Sequence, residues 1–130
     1  DVNMRLAMYK KLANCKNLEE IDNLQIELID RFGLLPQATK NLVQQTVIKL
    51  TAANLDINKI EANDQGGTIE FSVDAKIEPG YLIQLIQKQP RLFKFDGPTK
   101  IRFMRKTTAN TERLEFVLKL LEILGKECYA

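Results

Sequence analysis

The periodicity of the sequence predicts an α+β domain. It has three N-terminal helices, then two β-hairpins forming an antiparallel sheet with a short helix between them, and a C-terminal helix packed on one sheet face. Three observations carry this prediction. Up to about residue 54, apolar residues recur three and four apart, the spacing of amphipathic helices. From residue 57 the period drops to two, the spacing of half-buried strands. Helical spacing then returns near residue 110 and lasts to the end. Two hairpins with helices before, between and after them make an antiparallel sheet covered on one face.

Taken in order, Asn3 is the expected N-cap of a first helix, with Leu6, Tyr9 and Ala13 as its packing face and Lys10–Lys11 as a solvated edge. Residues 14–17 form a break, and Asn17 can cap a second helix whose first turn holds Glu19 and Glu20. In that helix Leu18, Ile21, Leu24, Leu28, Ile29 and Phe32 form one broad apolar stripe at about 100° per residue. Gly33 is placed to end it with positive φ, and Leu34 to supply the apolar contact that accompanies such an ending. Pro36 opens a third helix, which runs to about residue 54 with Leu42, Val43, Ile48, Leu50 and Leu55 as apolar positions.

Strands are expected at 57–62 and 68–73, joined by a turn at 63–67, with Ile69, Phe71 and Val73 on one face. Pro79 starts a short helix through Tyr81, Leu82, Leu85 and Ile86 that Pro90 stops. A second hairpin pairs 92–95 with 100–104 around the turn 96–99. Phe93 and Phe95 share one face there, as do Ile101 and Phe103. The final helix, 110–125, turns Leu114, Val117, Leu118, Leu121 and Leu124 inward.

A chain of 130 residues with an ordinary globular composition is one domain, 1–130. Its start, Asp1-Val2-Asn3-Met4, is neither an initiator methionine nor a signal sequence, so a fragment of a longer protein is expected. No apolar run reaches the roughly 18 residues of a membrane span. A net charge of +2 is too small to point to nucleic acid. The two cysteines, Cys15 and Cys128, read as reduced thiols of a cytoplasmic protein rather than a disulfide, and without a CxxC pair no metal is expected. The sequence has no histidine, which excludes histidine-based triads, metal ligands and proton shuttles. It also lacks GxxxxGK[ST] and GxGxxG, so no loop of those kinds holds a nucleotide. No cofactor is expected and catalysis is not.

Two surfaces stand out. On the second helix Glu20, Asn23, Glu27 and Asp30 lie opposite the apolar stripe, spaced three and four apart. Carboxylates in a row repel each other by a few tenths of a kcal/mol per pair. Asp30 sits in the last turn, where the helix dipole disfavours a negative charge by up to about 1 kcal/mol. Arg31 or another neighbour offsets this, or a basic protein partner does. The second surface is the polar face of the sheet, where Lys94, Lys100 and Arg102 are followed by Arg105 and Lys106. A nucleic-acid-binding module on that face is the alternative reading. Single-strand readers stack bases on exposed aromatics, however, and here the aromatics alternate onto the buried face. A small carboxylate enzyme would need a desolvated pocket that nothing in the sequence indicates.

The runs Arg5-Leu6-Ala7-Met8-Tyr9-Lys10-Lys11-Leu12-Ala13 and Glu27-Leu28-Ile29-Asp30-Arg31-Phe32-Gly33-Leu34-Leu35-Pro36 go further. With them come Gly66-Gly67-Thr68-Ile69-Glu70-Phe71, Gln87-Lys88-Gln89-Pro90 and Asp96-Gly97-Pro98-Thr99. In this order, over nearly the whole chain, the sequence resembles the C-terminal domain of the bacterial transcription-repair coupling factors, the Mfd translocases. The resemblance implies a non-catalytic regulatory domain of an ATP-dependent DNA translocase whose motor lies upstream. In that family the domain packs on an N-terminal UvrB-like module, hides the surface that binds UvrA, and restrains the motor until RNA polymerase is engaged. The resemblance carries the contact to that module onto Glu27 and Asp30. Arg31 lies on the flank of the same face, and Glu20 and Asn23 extend it. No membrane and no direct nucleic-acid contact is implied for the domain itself.

Overall fold

The computed structural model describes residues 2–129, and the chain falls into two compact units, Asp1–Leu50 and Thr51–Ala130. The first unit holds α1 (Val2–Ala13), α2 (Leu18–Phe32) and most of α3 (Gln37–Asn54). The second holds β1 (Ile57–Asn63), β2 (Gly66–Phe71), α4 (Pro79–Lys88), β3 (Phe93–Phe95), β4 (Lys100–Phe103) and α5 (Asn110–Glu127). This is the expected α+β arrangement, with five helices and one four-stranded antiparallel sheet among the described residues.

The core of the first unit is small: Met8 and Leu12 from α1, Ile21, Leu24 and Leu28 from α2, and Val43 from α3. Leu35, Leu42, Val47 and Leu50 pack against it. Several expectations change here. Asn3 is already helical, whereas an N-cap needs extended backbone, so it does not cap α1. Leu6, Tyr9 and Ala13 are exposed, because the i, i+4 pair Met8–Leu12 is the one that turns inward. The stripe on α2 is narrower than expected. Leu18, Ile29 and Phe32 are 44%, 49% and 40% exposed, since a unit of three helices covers α2 along one line only.

Gly33 ends α2 as expected, with φ 76° and ψ −146° and its N–H donating to the Ile29 carbonyl at 2.8 Å. That backbone conformation is essentially closed to L side chains. Leu34 is 93% exposed and makes no capping contact; Leu35 takes the inward place instead.

The sheet runs β1-β2-β4-β3, so β4 enters between the first hairpin and its own partner. Ile60, Ile69, Ile101 and Phe95 form one cross-strand row, and Phe103 pairs with Phe93. Ile69, Ile101 and Phe103 are fully buried with Leu121 and Leu124 of α5, and the Phe103 and Phe116 rings lie 5.5 Å apart. On α5, Leu120 is buried while Leu114 and Leu118 are half-buried, a rotation of the inward line from the one expected. Val73 is 87% exposed: β2 stops at Phe71, and the Ser72 side chain and carbonyl accept from Asp74 and Ala75 N–H in a turn. Phe95 is half-exposed at the edge strand although it shares the face of Phe93. The first hairpin needs glycine where strands approach closely: a β-carbon on Gly67 would land on the Glu61 carbonyl oxygen.

Candidate protein interface on the second helix

The local chemistry of α2 fixes what its acidic side can offer. Asn17 caps the helix in extended conformation, its Oδ1 accepting from Glu20 N–H at 2.8 Å. Glu20 reaches back and accepts from the Lys16 N–H at 2.5 Å. The first bond satisfies one of the helix's orphaned donors, and the second ties the residue before the cap to the first turn, one position short of a true capping box. Glu20 is thereby engaged at the helix start.

Glu27 is engaged as well. Its Oε1 lies 3.5 Å from Lys11 Nζ on α1 and 3.3 Å from Arg31, one turn further along α2. Its side chain is only 35% exposed, against 56% for Lys11 and 48% for Arg31. The carboxylate row is therefore interleaved with cations, one of them from another helix. Lys11 was read from the sequence as a solvated edge. Nothing in linear spacing links it to Glu27, because the αα-hairpin brings them together. Asp30 and Asn23 differ: both are exposed, and no described cation is within ion-pair distance of Asp30.

Glu20, Asn23 and Glu27 line one shallow depression of about 300 Å³, together with Lys11, Asn14, Cys15 and Leu24. Asp30 and Arg31 are outside it. Burial and then Glu20 push the Cys15 thiol above its ordinary pKa, and its Sγ donates to the Lys11 carbonyl. Both cysteines are free thiols; burial and then Glu127 likewise raise Cys128. Among the described residues no group of acidic or cysteine side chains is arranged to hold a metal, and no helix is long and apolar enough to cross a membrane.

The polar sheet face is a lattice of both signs. Register places Glu61, Thr68, Arg102 and Lys94 in one row and Lys59, Glu70 and Lys100 in the next. Lys59 pairs with Glu61 at 2.8 Å and Arg102 with Asp96 at 3.0 Å. Arg105 pairs with Glu112 at 3.9 Å and lies over the Phe116 ring at 5.4 Å. A groove of about 380 Å³ between α4 and α5 has Glu112 and Glu115 on its rim. Glu112, however, accepts from the N–H and hydroxyl of Thr108 at the start of α5, and Glu115 is exposed. Neither is the desolvated carboxylate that acid–base catalysis uses.

Known proteins share this architecture. A crystal structure described as the C-terminal domain of transcription-repair coupling factor matches with a TM-score of 0.71, covering 98% of this chain and 84% of that one at 23% identity, which defines the fold. By sequence, the chain is 52% identical over 125 residues to the transcription-repair-coupling factor of Haemophilus influenzae, covering 96% of this chain. It is 38% identical over 130 residues to that of Escherichia coli, covering 100% of this chain. The TRCF domain family matches residues 1–82, and this chain belongs to that family as a C-terminal TRCF domain. It spans 11% of the length of each of those two relatives.

Proposed function

We propose that residues 1–130 are a single, non-catalytic regulatory domain of a cytoplasmic transcription-repair coupling translocase. The domain packs on the UvrB-like module of its own polypeptide, masks the surface that binds UvrA, and restrains the motor until RNA polymerase is engaged. It takes no cofactor. The observation that supports this most is the outward acidic flank of α2 in a chain that belongs to the TRCF domain family. On that flank Asp30 is exposed with no described cation in reach, in the last helical turn where a negative charge is disfavoured. A basic partner surface would relieve that cost and add specificity. Asn23 stands beside it. Arg31 is held in place by Glu27, and Glu20 and Glu27 contribute charge to the field while already hydrogen-bonded or paired within the unit. The nucleic-acid alternative on the sheet face is weakened by the carboxylates paired with Lys59 and Arg102.

The mechanism is a two-state equilibrium between closed and open packing, in which only the open state offers the repair partner its surface. A contact of a few charge pairs suits such a switch, since each loss of about 1.4 kcal/mol shifts the populations tenfold. The test compares UvrA binding by the full-length parent and by its Asp30→Lys and Glu27→Ala/Asp30→Ala variants. Stronger binding by the variants, with the domain still folded, is expected. Unchanged binding would place the contact elsewhere or remove the masking role.

A further inference from the structure

The two edges of the sheet are built differently. At one edge β3 is three residues long and runs into a turn that holds Gly97 and Pro98. A short edge strand with proline close by is poorly suited to pair with a further strand. At the other edge β1 is the longest strand, seven residues without proline. All of it but Ile57 and Ile60 is exposed, and among the described residues no strand pairs with its outer side. Its one irregularity, between Ile57 and Lys59, leaves Lys59–Asn63 in regular register with β2. Such an edge presents a row of unpaired N–H and C=O groups, a template for one more strand.

The side chains of β1 select that strand. Lys59 and Glu61 share the polar face and pair at 2.8 Å. Ile60 lies between them on the other face, half-buried at the end of the apolar row Ile60–Ile69–Ile101–Phe95. Two copies of β1 laid antiparallel about a two-fold axis at Ile60 would set Lys59 of each opposite Glu61 of the other. The four charges would alternate in sign, and the two Ile60 side chains would meet and join the apolar rows. Opposite charges and apolar side chains facing each other across strands stabilise a sheet, and like charges facing each other destabilise it. Moving the axis to Lys59 or to Glu61 would oppose two lysines or two glutamates, so charge favours the register centred on Ile60. We infer that β1 pairs with β1 of a second copy of this chain, joining two four-stranded sheets into one of eight. The ladder is short beside stable interfaces, which bury roughly 1,200–2,000 Å², so the pairing is weak and concentration-dependent.

Sedimentation equilibrium of the 130-residue chain, with amide exchange in β1 at low and high concentration, tests this. Alternate amides of β1 are expected to exchange about tenfold more slowly where about nine chains in ten are paired. Lys59→Glu and Glu61→Lys each set like charges opposite each other twice in the dimer, and each is expected to weaken self-association about tenfold or more. Both positions are exposed, and an unchanged helix signal shows that the variants are folded. An equimolar mixture of the two variants is expected to recover association as a heterodimer, and the double swap Lys59→Glu/Glu61→Lys to recover it alone. A chain that stays monomeric to millimolar concentration would overturn the inference. So would self-association that the single substitutions leave unchanged, or that neither the mixture nor the double swap recovers. Concentration-dependent protection at β3 in place of β1 would put the contact on the other edge and also overturn it.

Discussion

Glu27→Ala is expected to weaken the first unit as well as any partner contact, and the size of the effect follows from its two neighbours. The substitution removes the carboxylate shared by Lys11 at 3.5 Å and Arg31 at 3.3 Å. Each partly exposed pair is worth about 0.2–1 kcal/mol, so the two together give about 0.5–1.5 kcal/mol at low salt. Alanine's higher helix propensity returns a few tenths of a kcal/mol. The net loss expected in urea unfolding of the 130-residue chain, followed by helix signal, is therefore about 0.5–1 kcal/mol. A double-mutant cycle with Lys11→Ala isolates the contact between α1 and α2, with an expected coupling of about 0.5 kcal/mol. At about 1 M salt, where the Debye length falls to about 3 Å, most of it should vanish. A coupling indistinguishable from zero at low salt would refute the brace. So would a coupling that high salt leaves untouched. The result also bears on function. If Lys11→Ala and Glu27→Ala both raise UvrA binding by the parent, and to the same extent, then Glu27 acts by holding α1 against α2 rather than by a direct partner contact.

Three further outcomes are expected. Asn17→Ala removes the acceptor for Glu20 N–H and should cost about 0.5–2 kcal/mol in denaturant unfolding, while Asn17→Gly costs only a few tenths. Gly67→Ala drives a β-carbon onto the Glu61 carbonyl and should destabilise the sheet by about 1–3 kcal/mol, read as faster amide exchange across β1 and β2. Tyr129 donates its hydroxyl to the Leu55 carbonyl, and burial, then Asp56 and Cys128, push its pKa from 10.0 up to about 12. Its folded pKa is the higher one, so its contribution to stability is complete below about pH 10 and is lost as pH rises toward 12. Tyr129→Phe should flatten that part of the pH–stability profile, and phenolate absorbance of the native chain should show one tyrosine titrating late.

The order of elements was legible in the sequence because it rests on period and punctuation. Asn17 capping α2, Gly33 ending it and Pro79 opening α4 are local events, settled by a few neighbouring backbone groups. The alternation in β2 and β4 likewise placed Ile69, Ile101 and Phe103 inward before any partner strand was known. Faces were harder to read. Both Leu6–Tyr9 and Met8–Leu12 are apolar pairs at helical spacing on α1, and only the position of α2 decides that Met8 and Leu12 are covered. Val73 continued a strand pattern that the hydrogen bonds of Ser72 cut short.

The acidic side of α2 divides in the same way. Sequence by itself determined that Glu20, Asn23, Glu27 and Asp30 share one side of a helix, because 3.6 residues per turn requires it. Only the tertiary structure decided what each of them is free to do. It brought Lys11 from α1 onto Glu27, turned Glu20 back to the helix start, left Asp30 facing outward, and left Leu18, Ile29 and Phe32 uncovered. Local geometry fixes direction along one helix, but pairing and burial depend on which other helix lies within a few ångströms, and no linear spacing encodes that distance.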